Sequence, residues 1–220
     1  MISASRRAEI ELDKFALDPS CKLYLPLRKL DGDSFMSKDA YGHLCTNVGN
    51  AHWTPQGWSF NGIDDYIDLD DALVADNLAD FTLLSWVKTP KTDYQRIFSK
   101  QHVLIVHTHL GQLTLYLGNG TEWDTQSANM GAFTYGIWQH VAMVKQGTIT
   151  NGYVNAEFKK QLAGCPATLG TNTNKTTVGV FYESGIEFWE DLIGELLFCS
   201  RALTPQEIQE HYLVGKELFG

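Results

Sequence analysis

The amino-acid sequence predicts an all-β fold, a sandwich of two antiparallel sheets, and three observations carry that expectation. Short apolar runs with period-two alternation recur at the strand-and-turn spacing of sandwiches. Aromatic residues make up 12 % of the chain and nineteen glycines serve its turns. Only one stretch carries a complete helix signal. The 220 residues suffice for a sizeable core, in one large all-β domain or two small ones. No fixed-period repeat or low-complexity linker divides them, so the expected organisation is an N-terminal arm or extension over 1–20 and a single sandwich domain over 21–220.

In the extension, Arg6, Arg7, Glu9, Glu11, Asp13 and Lys14 alternate with Ile10, Leu12, Phe15 and Leu17 up to Pro19, which suits a short helix, a docking arm or a frayed end. "KLYLPL" opens the first strand, and residues 28–45 read as a polar loop with Asp31-Gly32 as its turn signal. "GWSFNGIDDYIDLDD" reads as a strand, a turn at Asn61-Gly62 and a second strand containing Tyr66, Ile67 and Leu69. Its acids, Asp64, Asp65, Asp68, Asp70 and Asp71, invite a calcium reading but lack the EF-hand spacing and glycine. Asp68 and Asp70 suit the solvated side of an edge strand, where charge discourages pairing with other chains.

In "FTLLSWVKT", Phe81, Leu83, Ser85 and Val87 share one face and Thr82, Leu84, Trp86 and Lys88 the other. Both faces are partly apolar, as expected inside a two-layer stack. "RIFSK", "VLIVHTH", "QLTLYLG", "WQHVAMVKQ", "NGYVNAEF", "TTVGVFY" and "IGELLFCS" continue the series, with hairpins expected in "HTHLGQLTLYLG" and "VKQGTITNGYVNAE". The helix signal closes the chain: Thr204 as N-cap, Pro205 at N1 and Glu207 at N3 form a capping box, with Ile208 and Tyr212 following one turn apart.

A formal charge of −9 with no offsetting Lys/Arg cluster argues against nucleic acid and anionic bilayers as partners. No apolar run is long enough to span a membrane, so no membrane insertion is expected. The first eighteen residues lack the apolar core of a secretory signal. The expectation is cytoplasmic synthesis, with exit by another route or with a signal already removed. Cys21, Cys45, Cys165 and Cys199 form no C-x-x-C pair and read as reduced, mostly buried thiols.

In sequence and order, "FNGIDDYIDL", "FTLLSWVKT", "GIWQHVAMVK", "GYVNAE" and "IGELLFCSRALTPQEIQEHY" resemble the laminin-G-like domain of the concanavalin A-like lectin and glucanase superfamily. The most specific pieces are "SRALTPQEI" and the strand with Trp138, His140, Val141 and Ala142. The resemblance implies a jelly-roll sandwich with one curved sheet. Members of that family bind glycans, bind proteins or serve as structural modules, and a few relatives cut polysaccharides, so fold alone leaves function open. Two departures stand out. Gly194-Glu195 replaces a frequent aspartate-glutamate pair that can help hold calcium, and Ala156 stands where a glycine often makes the turn.

A retaining glycosidase needs two carboxyl groups about 5–5.5 Å apart, which the glucanase relatives supply from an alternating E-x-D-x-E strand. "EFWEDLIGELLF" lacks that pattern: Trp189 lies two residues after Glu187, Glu190 and Asp191 point to opposite faces, and Ile193 separates Asp191 from Glu195. Alternation puts Leu192, Leu196 and Phe198 on one face and Ile193, Glu195, Leu197 and Cys199 on the other. No nucleophile elbow, H-E-x-x-H or P-loop occurs. His107 and His109 share a strand face but lack a third metal ligand and read as partly exposed, and His140 reads as structural beside Trp138. No catalytic residue and no metal ligand is assigned.

Sugar recognition needs a flat apolar ring beside fixed polar groups. "YLGNGTEWDTQSAN" offers Tyr116 on a strand, Asn119 in a turn, and Trp123 and Asp124 in a polar loop, while "FYESGIEFWED" adds Tyr182 and Glu183. Trp123 packed under its own loop is the competing reading. The expected protein is a non-catalytic, lectin-like or adhesive module for a glycan or polysaccharide, on a virion or extracellular surface, with no cofactor assigned and calcium left open. A decoration protein docked to neighbouring subunits through residues 1–20, and a divergent polysaccharide hydrolase, stand as alternatives.

Overall fold

The computed structural model describes residues 3–70 and 74–220. They form a jelly-roll sandwich of two antiparallel sheets with two helices on one side. The back sheet contains β1 (Cys21–Leu25), β4 (His52–Thr54), β5 (Gly57–Asn61), β7 (Phe81–Lys88), β12 (Gln139–Gln146), β13 (Ile149–Val154), β14 (Glu157–Ala163) and β16 (Glu190–Cys199). Its order is β14-β13-β12-β7-β16-β5-β4, with β1 also paired to β16. The front sheet contains β2 (Ser34–Met36), β3 (Leu44–Val48), β6 (Tyr66–Asp68), β8 (Gln95–Lys100), β9 (Leu104–His109), β10 (Gln112–Gly118), β11 (Trp123–Ala132) and β15 (Thr176–Val178). Its order is β11-β10-β9-β8-β15-β6-β3-β2. The helices are α1 (Ala4–Phe15) and α2 (Pro205–Phe219), and no described helix is long and apolar enough to cross a membrane.

Alternation decides which side chains fill the space between the sheets. Phe81, Leu83 and Val87 of β7 meet Leu113, Leu115 and Leu117 of β10 and Leu104 and Val106 of β9 in one continuous core. The opposite face of the back sheet is also apolar, because α1 and α2 cover it. There Tyr24, Leu84, Ala142, Val144 and Leu197 pack with Leu203, Ile208 and Ala16. Helix α2 starts at the expected capping box, with Thr204 Oγ1 accepting from the Glu207 N–H. It settles closely because Gly215 carries no Cβ, which would lie 2.2 Å from the Trp86 ring.

Residues 3–20 lie against the sandwich. Ser3 caps α1, Leu12 is fully buried, and the Phe15 ring meets His211 of α2 edge-on at 4.9 Å. Asp13 accepts from Lys29 at 2.9 Å, and Asp18 accepts from Arg201 at 2.9 Å.

Four local expectations need correction. A β-bulge at Gly194 breaks the period-two count on β16, so Ile193 joins Leu196 and Phe198 in the inter-sheet core. Glu195, fully buried, faces α2 instead, where Arg28 Nη1 donates to it at 2.7 Å and His211 Nε2 lies 2.9 Å away. Strand β6 is interior, between β15 and β3, so Asp68 is not on a sheet edge, and its carboxylate pairs with Lys175. Trp123 and Asp124 begin edge strand β11 and do not lie in a loop, and the polar stretch 28–45 contains β2 and the start of β3. The expected turn at Asn61-Gly62 carries the chain from the back sheet to the front one. Asp71 lies outside the described residues.

All four cysteines are buried free thiols.

Candidate functional site

The outer face of the front sheet carries the side chains that alternate with its core residues. On β10 this places Thr114 and Tyr116 outward, on β9 His107 and His109, and on β8 Arg96. Register brings them into a row, with Arg96 opposite His107, and His107 opposite Thr114. The turn before β8 adds Tyr94, whose ring stacks on His109 at 3.6 Å.

At one end of this row, Trp123 and Tyr116 meet edge to face at 5.3 Å, and His102 meets Trp123 in the same way at 5.3 Å. All three are half-buried, so part of each ring faces solvent. The nearby turn is held by Asn119, whose Oδ1 accepts from the N–H of Thr121 (3.0 Å) and of Glu122 (3.0 Å). Its Nδ2 donates to Asp124 Oδ1 at 3.3 Å. Asn119 and Asp124 thus frame the rings, with the Asn119 oxygen spent inside the turn.

The two residues expected from the second loop separate. Glu183 lies within electrostatic reach of His102, with its side chain exposed to solvent. Tyr182 instead packs near Tyr66 at 6.0 Å, with Lys175 over its ring at 5.1 Å.

The centre of the face is Arg96, 4 % exposed. Its guanidinium lies 5.8 Å from the Tyr94 ring, 5.5 Å from Tyr116 and 5.2 Å from Phe181. One amino group meets His107 Nδ1 at 2.8 Å, and the other forms an ion pair with Glu187. Burial, then the charges of Arg96 and His109, hold His107 well below the usual histidine range, so it is neutral at physiological pH. The expectation of a partly exposed His107 is therefore corrected: it is fully buried, with Nδ1 engaged by an arginine. The sequence reading missed Tyr94, Arg96 and His102. Alternation within "RIFSK" places Arg96 outward, but only strand register sets it against His107.

The acids of the opening turn are largely engaged. Asp65 accepts from the Asn50 N–H (2.6 Å) and the Asn61 N–H (2.9 Å), and Asp64 accepts from Asn61 Nδ2 (2.7 Å). Asp191 pairs with Lys88 at 3.5 Å. Among the described residues no three His, Cys, Asp or Glu side chains converge as a metal site.

A family model described as the concanavalin A-like lectin/glucanases superfamily matches residues 61–209. A search of curated proteins gives no sequence match. In structure, the chain is similar to domain 4 of AbnA, a GH43 extracellular arabinanase from Geobacillus stearothermophilus, in complex with arabinotriose. That likeness has 19 % identity and a TM-score of 0.69 over 91 % of this chain and 98 % of that one. It is also similar to a mutant Trypanosoma rangeli sialidase displaying trans-sialidase activity, at 13 % identity and TM-score 0.67 over 98 % of this chain and 38 % of that one. A third likeness is to the botulinum neurotoxin serotype D binding domain, at 13 % identity and TM-score 0.66 over 88 % of this chain and 51 % of that one. At such identities these structures share a fold with the chain, and the last two are about twice or more its matched length.

Proposed function

The chain belongs to the concanavalin A-like lectin/glucanase superfamily, and from that premise we propose that it is a non-catalytic carbohydrate-binding module whose ligand lies on the outer face of the front sheet. The observation that carries this reading is the corner of half-exposed rings formed by Tyr116, Trp123 and His102, with Asp124 and Glu183 at its border. Stacking against the C–H face of a sugar needs such a ring, and orientation needs hydrogen-bonding groups at its edge. The arabinanase domain supports the reading, since a domain of this fold and size was solved in complex with arabinotriose.

The superfamily includes binding domains and glycoside hydrolases alike. Binding is favoured here because the candidate acids have other work. Glu187 is paired with Arg96, Asp191 with Lys88, and Glu195 is buried under α2 on the other sheet. Near the rings, Glu183 stands exposed on its turn and Asp124 accepts from Asn119 Nδ2.

A glycan array followed by isothermal titration tests the proposal. Trp123→Ala should weaken the best glycan at least tenfold, about 1.4 kcal/mol or more. Unchanged affinity in a folded variant would place the site elsewhere. Reducing-sugar release by the wild type that is lost in Glu183→Gln would make the protein a hydrolase.

A further inference from the structure

We propose that this face takes an acidic sugar, and that Glu187 is a built-in stand-in for its carboxylate at Arg96. The inference rests on the reading of the outer front face as a glycan site.

Three observations carry it. The first is an excess of donors. Arginine only donates, so the contact from its Nη1 makes His107 Nδ1 the acceptor and leaves the imidazole proton on Nε2. That Nε2–H and Arg96 Nε–H are both buried, and neither finds an acceptor among the described residues, while Glu187 Oε2, paired with Arg96 by charge, makes no hydrogen bond of its own. A buried donor without an acceptor is costly, and a carboxylate, with two oxygens and no hydrogens, is the group that answers it best.

The second is the origin of the carboxylate now present. Glu187 comes from the segment after the short 3-10 turn Tyr182–Ser184, a stretch whose residues 182–186 are exposed. It reaches Arg96 through a left-handed backbone, with φ of 64° at Glu187 and 57° at Gly185. For a non-glycine residue that conformation is strained. The segment is tied to β8 by the ion pair and by one backbone bond, from Arg96 N–H to the Glu187 carbonyl at 3.2 Å.

The third is access. Arg96 is walled by the Tyr94, Tyr116 and Phe181 rings, but the Glu187 side chain that touches it keeps 20 % of its surface exposed. A ligand carboxylate therefore has a route to the guanidinium, the one that Glu187 occupies. A sugar stacked on Tyr116 would bring its acid group to the same place, since Tyr116 and Arg96 are already 5.5 Å apart from ring centre to guanidinium carbon.

The test uses isothermal titration of wild type and Glu187→Gln with two matched pairs, trigalacturonic acid against its carboxyl-reduced form and 3′-sialyllactose against lactose. The wild type should bind one acidic member at least tenfold more tightly than its neutral partner. Glu187→Gln, which keeps the shape and removes the competing charge, should strengthen that acidic ligand severalfold without changing the neutral one. The same variant should melt at a lower temperature alone, and the acidic sugar should raise its melting temperature more than it raises that of the wild type, whereas a merely structural glutamate would give equal rises in both. Equal binding within each pair, or a neutral preference, overturns the carboxylate assignment while leaving the glycan face standing. Failure of the wild type to bind any member of the array overturns the face itself.

Discussion

His140 has no contact with solvent, and its Nε2 lies 3.1 Å from His211 Nδ1. Since His211 Nε2 is 2.9 Å from Glu195, the three side chains form one buried chain in which His140 Nε2 and His211 Nδ1 share a single proton. Burial, and then His211, hold His140 well below the usual histidine range, as burial and Arg96 do for His107. Both residues therefore take up protons in the unfolded chain at a pH where the fold keeps them neutral. Stability is full above the ordinary histidine pKa of about 6.5 and falls as the pH drops below it, by as much as about 2.7 kcal/mol per pH unit for the two together. Glu195 acts in the same direction further down. Burial alone would raise its pKa, but His211 and Arg28 hold it below the usual value, so its contribution is lost as pH falls through the ordinary glutamate range. Urea unfolding at pH 7.5 and 5.5 should show this loss, and His140→Gln should reduce the slope by about half. Glu195→Gln should destabilise by about 3–5 kcal/mol, because Arg28 is left buried without its counter-charge.

Among the elements, the hairpin from β13 to β14 turns through Asn155 and Ala156, both left-handed, with φ of 53° and 61°. Alanine tolerates that conformation poorly, so Ala156→Gly should stabilise the domain by about 1 kcal/mol, read as a shift in the urea midpoint at constant m-value. Elements with strong local signals were legible in the sequence. The capping box at Thr204 and the two-faced apolar run of β7 needed no distant partner to be recognised. Strand β11 was not legible: its outward residues are polar and it sits on the sheet edge, so "WDTQSAN" carries no apolar alternation. Nor was the bulge at Gly194, where the extra residue is set by pairing with β7 and by the Phe219 ring, whose Cε1 would lie 2.3 Å from any added Cβ. The candidate site divides the same way. Tyr116 and Trp123 announce themselves as aromatics among polar neighbours, while Arg96 becomes part of the site only through its register with His107.

At the scale of the whole molecule, the two sheets differ in what covers them. The back sheet is closed by α1 and α2 over an apolar layer and a buried polar chain, and Trp86 stacks there on Tyr212 and Phe219 at 5.6 and 5.1 Å. The front sheet leaves aromatic rings half-exposed around a neutralised arginine. Binding by the front face and stability by the back face should therefore be separable: Glu195→Gln should lower stability without changing glycan affinity measured below its melting range. The most direct measurement of the central claim is a titration of the six tryptophan indole N–H signals by two-dimensional NMR, using the best glycan from the array. The account predicts that the Trp123 signal moves in a saturable way while Trp86 and Trp138, under and beside α2, stay in place. A saturable shift of Trp86 or Trp138 with Trp123 unmoved would contradict it.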